Sequence, residues 1–436
     1  MIKVYSELCH IQNHIGARVF RGECAMPISN AAVKILSAIF CLFLVVPLQL
    51  ARAQSPARQP TVSYEDKKRQ ANDIAVTIVV SGISCTCARF AEDIKNVVND
   101  LKPDGQRVLP VLGVGGLQNL QDVLFLRNID MGVVDEDNLR LLKKRDPVLY
   151  ASIEQRVQYI TKLYNSEFQI LARNDIMSYD DLRGKKVNFN LKDSQTEVTA
   201  DIVFNMLKID TVRSYYDNDV ALKKVIGGEI AAMIILTGAP QALYAKVKKE
   251  DGVHFLPFDE RSSTNPNVKQ VLADYIPAEL THEQYPALIP EGATVPTFAN
   301  RALLVAYAWP ENSPRYTRLA KFVREFFNRI DQFHDSSRHP KWNEINIAAD
   351  MPGWTRFKPA ADWLSEQRNV AARQRGPGAT AAGNSDLKVA FDQFVDQYAA
   401  ARGLKTITPA DQELLFAKFQ QFMQAQQQNS AAVRSR

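Results

Sequence analysis

Residues 74–80 read IAVTIVV, a continuous apolar and β-branched run. A strand with one wet face alternates apolar and polar residues, so an unbroken run belongs to a strand covered on both faces. The residues that follow, 81–86, are small. Residues 88–101 then place Phe90, Ile94, Val97, Val98 and Leu101 on one helical face. Residues 107–112 predict a second strand, 113–116 (GVGG) a glycine loop, 117–126 a second helix and 130–134 (DMGVV) a third strand. Strands and helices alternating through short loops imply a parallel sheet with right-handed crossovers.

The alternation resumes further along. Residues 159–164 and 168–172 predict consecutive strands, and 187–190 another. A helix opens at 193–196 and runs through 207, and a second covers 220–226. Residues 231–235 predict a strand, 237–240 (TGAP) a turn into a helix through 247, and 254–258 a further strand. A long apolar stretch at 295–307 precedes a helix over 315–330. No period of 20–50 residues recurs, which excludes a solenoid.

The ends of the chain differ in kind. Residues 35–46 (ILSAIFCLFLVV) form the one long apolar run, and twelve residues fall short of the about 20 that a bilayer-spanning helix needs. Lys34 precedes the run and Ala51-Arg52-Ala53 follows it, the pattern of a secretory signal peptide over 1–53 with cleavage before Gln54. Met26 opens a leader of ordinary length. Residues 54–73 are polar, carry two prolines in their first half and read as a linker. Residues 374–385 (QRGPGATAAGNS) are rich in Gly, Ala and Ser and read as another. Residues 386–436 predict a helical tail with two amphipathic helices, the second started by Thr408-Pro409, whose apolar faces dock on the body or bind a partner.

Composition narrows the function classes. Over 436 residues, 53 Lys+Arg against 48 Asp+Glu give a net charge of +5, and removing the leader lowers it to +2. That is too small to argue for a nucleic-acid partner. Of five cysteines, only Cys85 and Cys87 follow the leader, so the exported chain is not a disulfide scaffold. The pair reads either as two small residues in a tight turn or as a Cys-Thr-Cys bridge with little room for relaxed geometry. No phosphate-binding loop, nucleophile elbow or H-E-x-x-H occurs, and Gly113-Val114-Gly115 lacks the third glycine of a dinucleotide fingerprint because Gln118 stands there. The sequence calls for no catalytic set, no metal and no cofactor. It does offer four small-residue loops between a strand and a helix, at 81–86, 113–116, 193–196 and 237–240. In an open parallel sheet such loops lie beyond the carboxyl ends of the strands, where helix N-termini present unpaired N–H groups to an anion.

Taken in order, Ile78-Val79-Val80-Ser81-Gly82, Pro110-Val111-Leu112-Gly113, Gln118-Asn119-Leu120, Asp130-Met131-Gly132-Val133-Val134-Asp135, Tyr164 and Asp181-Leu182-Arg183-Gly184-Lys185 are followed by Ser194-Gln195-Thr196, Gly228-Glu229-Ile230, Gly238-Ala239-Pro240, Tyr285-Pro286 and Val295-Pro296-Thr297. This series, over about 74–330, resembles the solute-binding subunits of TRAP transporters of the TAXI type. The resemblance implies an α/β periplasmic-binding-protein fold of type II, with a ligand cleft between two lobes and a C-terminal helical extension. Lobe 1 would be 74–162 and 294–373, and lobe 2 would be 163–293. It implies a periplasmic protein that captures a small carboxylate or amino acid and delivers it to a TRAP-type membrane permease. By position, ligand contacts would come from Ser84, Thr86, Gly116, Asn119, Tyr164, Ser194, Gln195, Thr196, Gly238 and Pro240. Two loops depart from the family pattern. The first loop has Gly82 alone, and Gln195 replaces the glycine of Ser-Gly-Thr, which adds a side-chain amide where backbone would approach the ligand. These departures leave two alternatives beside transport: a periplasmic sensor or scaffold of the same fold, or an enzyme, the latter disfavoured by the missing catalytic set.

Overall fold

In the computed structural model, which describes residues 62–375 except 101 and 103, together with residue 391, the 74–80 run forms β1 (Ala75–Val80). Val76, Ile78, Val79 and Val80 are all buried. It pairs in parallel with β2 (Arg107–Leu112) on one side and β3 (Met131–Asp135) on the other. The crossovers are α2 (Thr86–Val98), which buries Phe90, Ile94, Val97 and Val98, and α3 (Gly116–Phe125). Leu101, expected on the α2 face, lies outside the described residues. Asn99 ends α2 by turning its backbone out of the helix. A short helical stretch, α4 (Asn138–Arg145) and α5 (Ile153–Arg156), leads to β4 (Val157–Arg173).

A second parallel block follows: β5 (Lys186–Asn188), α6 (Gln195–Leu207), β6 (Val212–Ser214), α7 (Asn218–Ile226) and β7 (Ala232–Thr237). β5 pairs in parallel with both β6 and β7. Then come β8 (Val253–Phe255), α8 (Val268–Asp274), β9 (Ile276–Thr281), the long β10 (Thr294–Tyr307), α9 (Pro314–Asn328) and α10 (Lys358–Arg375).

All ten strands join in one mixed sheet of order β2-β1-β3-β10-β4-β7-β5-β6, with β8 beside β4 and β9 beside β10. The two parallel blocks therefore meet through two antiparallel strands that run through both, β4 and β10. Each block has its own apolar cores. One joins Phe90, Ile94, Phe322, Phe326 and Trp342, and the other joins Phe168, Phe189, Phe204, Phe258 and Phe298. The molecule is a two-lobed α/β fold, with the lobes linked by strands rather than by loops.

Several sequence expectations need correction. Residues 159–164 and 168–172 are not two strands, because Asn165, Ser166 and Glu167 keep ladder partners in Arg301, Asn300 and Ala299 and carry β4 straight through. The segment read as a linker at 54–73 contains helix α1 (Tyr64–Asp73). Ser63 caps it by accepting from the Asp66 N–H at 3.1 Å, and polar helix-formers sustain it without burying a residue. The helix expected to run through 247 is a single tight turn, Ala242–Lys246. Of the two readings of Cys85 and Cys87, the bridge is the one present: the two are joined by a disulfide. The extended N-cap backbone of Cys85, followed at once by the first turn of α2, leaves their Cα atoms 5.2 Å apart, within disulfide range. The leader over 1–53 and the tail over 386–436 fall outside the described residues apart from Phe391, as does the linker at 374–385 beyond Arg375, whose first two residues end α10.

Candidate functional site

β1, β2 and β3 end at the same edge of lobe 1, and β5 and β7 end at the facing edge of lobe 2. The loops after β1, β2, β5 and β6 start α2, α3, α6 and α7, and the loop after β7 leads into the turn Ala242–Lys246. Between them lies a cavity of about 50 Å³, room for a few water molecules. Its wall is built from Ser81, Cys85, Cys87, Gly115 and Gly116 of lobe 1 and Asn190, Ser194, Gln195, Thr196 and Thr237 of lobe 2. Asp135, Tyr164 and Ser166 also line it.

Six of the ten residues expected at the site line this cavity: Gly116, Asn119, Tyr164, Ser194, Gln195 and Thr196. The side chains of Asn119, Ser194, Gln195 and Thr196 already make hydrogen bonds within the protein. Asn119 Oδ1 accepts from the Gly115 N–H (3.1 Å), and its Nδ2 donates to the Val133 carbonyl (2.9 Å), which pins the glycine loop to β3. Ser194 caps α6 by accepting from the Glu197 N–H (3.3 Å), and Thr196 Oγ1 accepts from the Leu236 N–H (3.0 Å). Both hydroxyls keep a proton to donate. The N–H groups of Gln195 and Thr196 open α6, where no intrahelical acceptor exists.

The other four do not line the cavity; they form contacts between the lobes beside it. Ser84 Oγ accepts from Asn218 Nδ2 (3.2 Å), and Thr86 Oγ1 donates to the Gly238 carbonyl (2.7 Å). Gly238 lies against the Tyr164 ring, so that an added Cβ would sit 3.0 Å from Tyr164 Cδ2. The Pro240 carbonyl accepts from His339 Nε2 (3.2 Å), because His339 Nδ1 itself accepts from the Lys341 N–H (3.2 Å).

Gln195 behaves differently from the glycine whose place it takes. Its Oε1 accepts from Asn138 Nδ2 (2.6 Å), and its Nε2 donates to Asp137 Oδ1 (3.2 Å) and Thr199 Oγ1 (3.1 Å). The amide thus spans the cleft from lobe 2 to lobe 1. Gly116 makes room for it: a Cβ there would fall 2.7 Å from the Gln195 nitrogen, and its φ of +54° already favours glycine.

Sequence reasoning missed Asp135, Ser166, Asn190 and Asn218. Asn190 adopts a φ of +66° and donates to Asn218 Oδ1 (3.1 Å). Asparagine tolerates the left-handed region better than most side chains. Asp135 carried a legible signal, an acid closing the apolar strand DMGVVD. Its Oδ1 is buried without a hydrogen-bond partner among the described residues. Burial, then the charges of Asp137 and Glu136, push its carboxyl well above the usual range. Burial also raises Asp137, to about 6. No Lys, Arg or His lines the cavity among the described residues, and Asp135 is the single formally charged side chain in its wall.

Residues 111–352, more than half of the chain, match the NMT1-like family, and the chain belongs to it. No curated protein matches the chain. Among solved structures it is similar to MatC from Rhodopseudomonas palustris with bound malate, at 14% identity and a TM-score of 0.43 over 67% of this chain and 95% of that one. It is also similar to the alkanesulfonate-binding protein SsuA from Xanthomonas axonopodis pv. citri bound to MOPS, at 11% identity and a TM-score of 0.35 over 69% and 93%.

Proposed function

We propose that this protein is an exported solute-binding protein that closes its two lobes on a small carboxylate or amino acid and hands it to a TRAP-type permease, as the TAXI resemblance implies. The observation that carries the reading is the convergence of four strand-to-helix loops on one interlobe cavity with no catalytic constellation in its wall. Hydroxyls and open helix N–H groups hold a carboxylate without a buried counter-charge. Ser194 and Thr196 are the central residues of that cradle. The leader over 1–53 would place the protein in the periplasm.

One observation favours a second reading, a periplasmic sensor or scaffold. Gln195 already bridges the cleft, and the remaining space is small. A single experiment separates the two: mass spectrometry of small molecules that co-purify with the exported protein, followed by calorimetry of Ser194→Ala and Thr196→Ala against what is found. Transport predicts a bound solute and a loss of roughly tenfold or more per variant, since a hydrogen bond to a charged group contributes about 1.5–3 kcal/mol. An empty cleft, or full affinity in both variants, removes the cradle and leaves the sensor or scaffold.

A further inference from the structure

Asp135 stands at the carboxyl end of β3, 7% exposed, in the wall of the interlobe cavity. Its neighbours do not neutralise it. The backbone N–H of Asp135 is taken by Asn138 Oδ1 (3.0 Å), Asp137 takes the Gln195 amide, and Glu136 pairs with Arg301 (2.7 Å). The carboxyl Oδ1 has no hydrogen-bond partner among the described residues. The rest of the wall is uncharged: Ser81, Ser166, Thr237 and Tyr164. A buried acid whose Oδ1 has no partner among the described residues, in a residue that lines a cavity, is costly unless something arrives to complete it. The partner it lacks is a cation or a strong donor. Across the cavity, the first turn of α6 offers the opposite polarity, with free N–H groups and the Ser194 and Thr196 hydroxyls.

We propose that Asp135 is the ammonium-binding residue of the cleft, so that the solute is a small amino acid whose ammonium meets Asp135 and whose carboxylate meets the N-terminus of α6. This rests on the solute-binding reading above and narrows it, since a plain carboxylate would satisfy α6 and leave Asp135 open. The cavity of about 50 Å³ suits the shorter members of that class.

The test is calorimetry of the full exported chain with glycine, L-alanine, L-serine, β-alanine and γ-aminobutyrate, each beside an acid that lacks the amino group, such as propionate for L-alanine and butyrate for γ-aminobutyrate. At least one amino compound should bind, with its deaminated partner weaker by tenfold or more. Asp135→Asn should abolish that preference while its melting temperature is no lower than the parent's, because the substitution keeps the shape and Oδ1 has no hydrogen bond among the described residues to lose. A deaminated acid that binds as well as its amino parent overturns the ammonium site and leaves solute binding intact. Binding by neither series, together with nothing co-purifying, overturns both. If Asp135→Asn does not fold, the paired comparison on the parent protein decides alone.

Discussion

Gln195 is the residue that most separates this cleft from a simple anion cradle. In the first turn of α6 a glycine would expose backbone to the ligand, whereas glutamine spends its amide on Asn138 and Asp137 of the opposite lobe. Gly116 is its counterpart, because any larger residue there strikes the α6 backbone. The Gln195 amide therefore links the two lobes by hydrogen bonds, and Gly116 leaves room for the link. Gln195→Ala keeps the helix and removes only the link. It should lower unfolding stability by about 1–3 kcal/mol, the penalty for buried partners left unmade, and increase the radius of gyration in small-angle scattering. An unchanged radius together with unchanged stability would show that the amide does not hold the lobes.

At the scale of elements, the two through-running strands decide how the lobes are joined. β4 carries Glu167 into the space between them, 4% exposed, where its Oε2 accepts from the Ala239 N–H (2.7 Å). The turn Pro340–Glu344 brings Lys341, 3% exposed, to Glu167 Oε1 (2.5 Å) and Glu344 Oε1 (2.8 Å). Burial disfavours the charge on Lys341, but the two carboxylates override it and hold the ammonium protonated. A lone buried charge is far costlier than a buried pair. Lys341→Met should therefore destabilise by about 3–5 kcal/mol, and adding Glu167→Gln should recover much of that, as read from urea midpoints. If the double variant is no better than the single one, the ion pair is not what ties this turn to β4.

At the scale of the whole molecule, two of the buried groups near the lobe boundary have pH effects that oppose each other. Burial lowers His339 to about 4, against about 6.5 in an unfolded chain. Its contribution is present above pH 6.5 and is lost as pH falls toward 4. Asp137 is raised to about 6, against about 3.9 unfolded. Its contribution is present at acid pH and is lost as pH rises through 6. The stability of the parent relative to His339→Gln should thus shrink as pH drops from 6.5 to 4, while its stability relative to Asp137→Asn should grow over the same range. Urea midpoints at half-unit pH steps measure both slopes, and two flat differences would remove the linkage.

Sequence alone determined the strand and helix alternation, because a buried parallel strand must be apolar along its length and an amphipathic helix must repeat near every fourth residue. It also located the loops around the cavity, since small residues between a strand and a helix are visible locally, and Ser194 reads as a helix cap from its neighbours. What it could not decide was pairing at a distance. Asn165, Ser166 and Glu167 look like a break until β10 supplies their ladder partners. Ser84, Thr86, Gly238 and Pro240 look like ligand contacts until the lobes meet and use them on each other. Asp135 closes an apolar strand in the sequence, and only the packed cavity shows that its Oδ1 has no partner among the described residues. Local spacing fixes which elements form. The demand that buried polar groups find partners is settled only when distant segments are brought together.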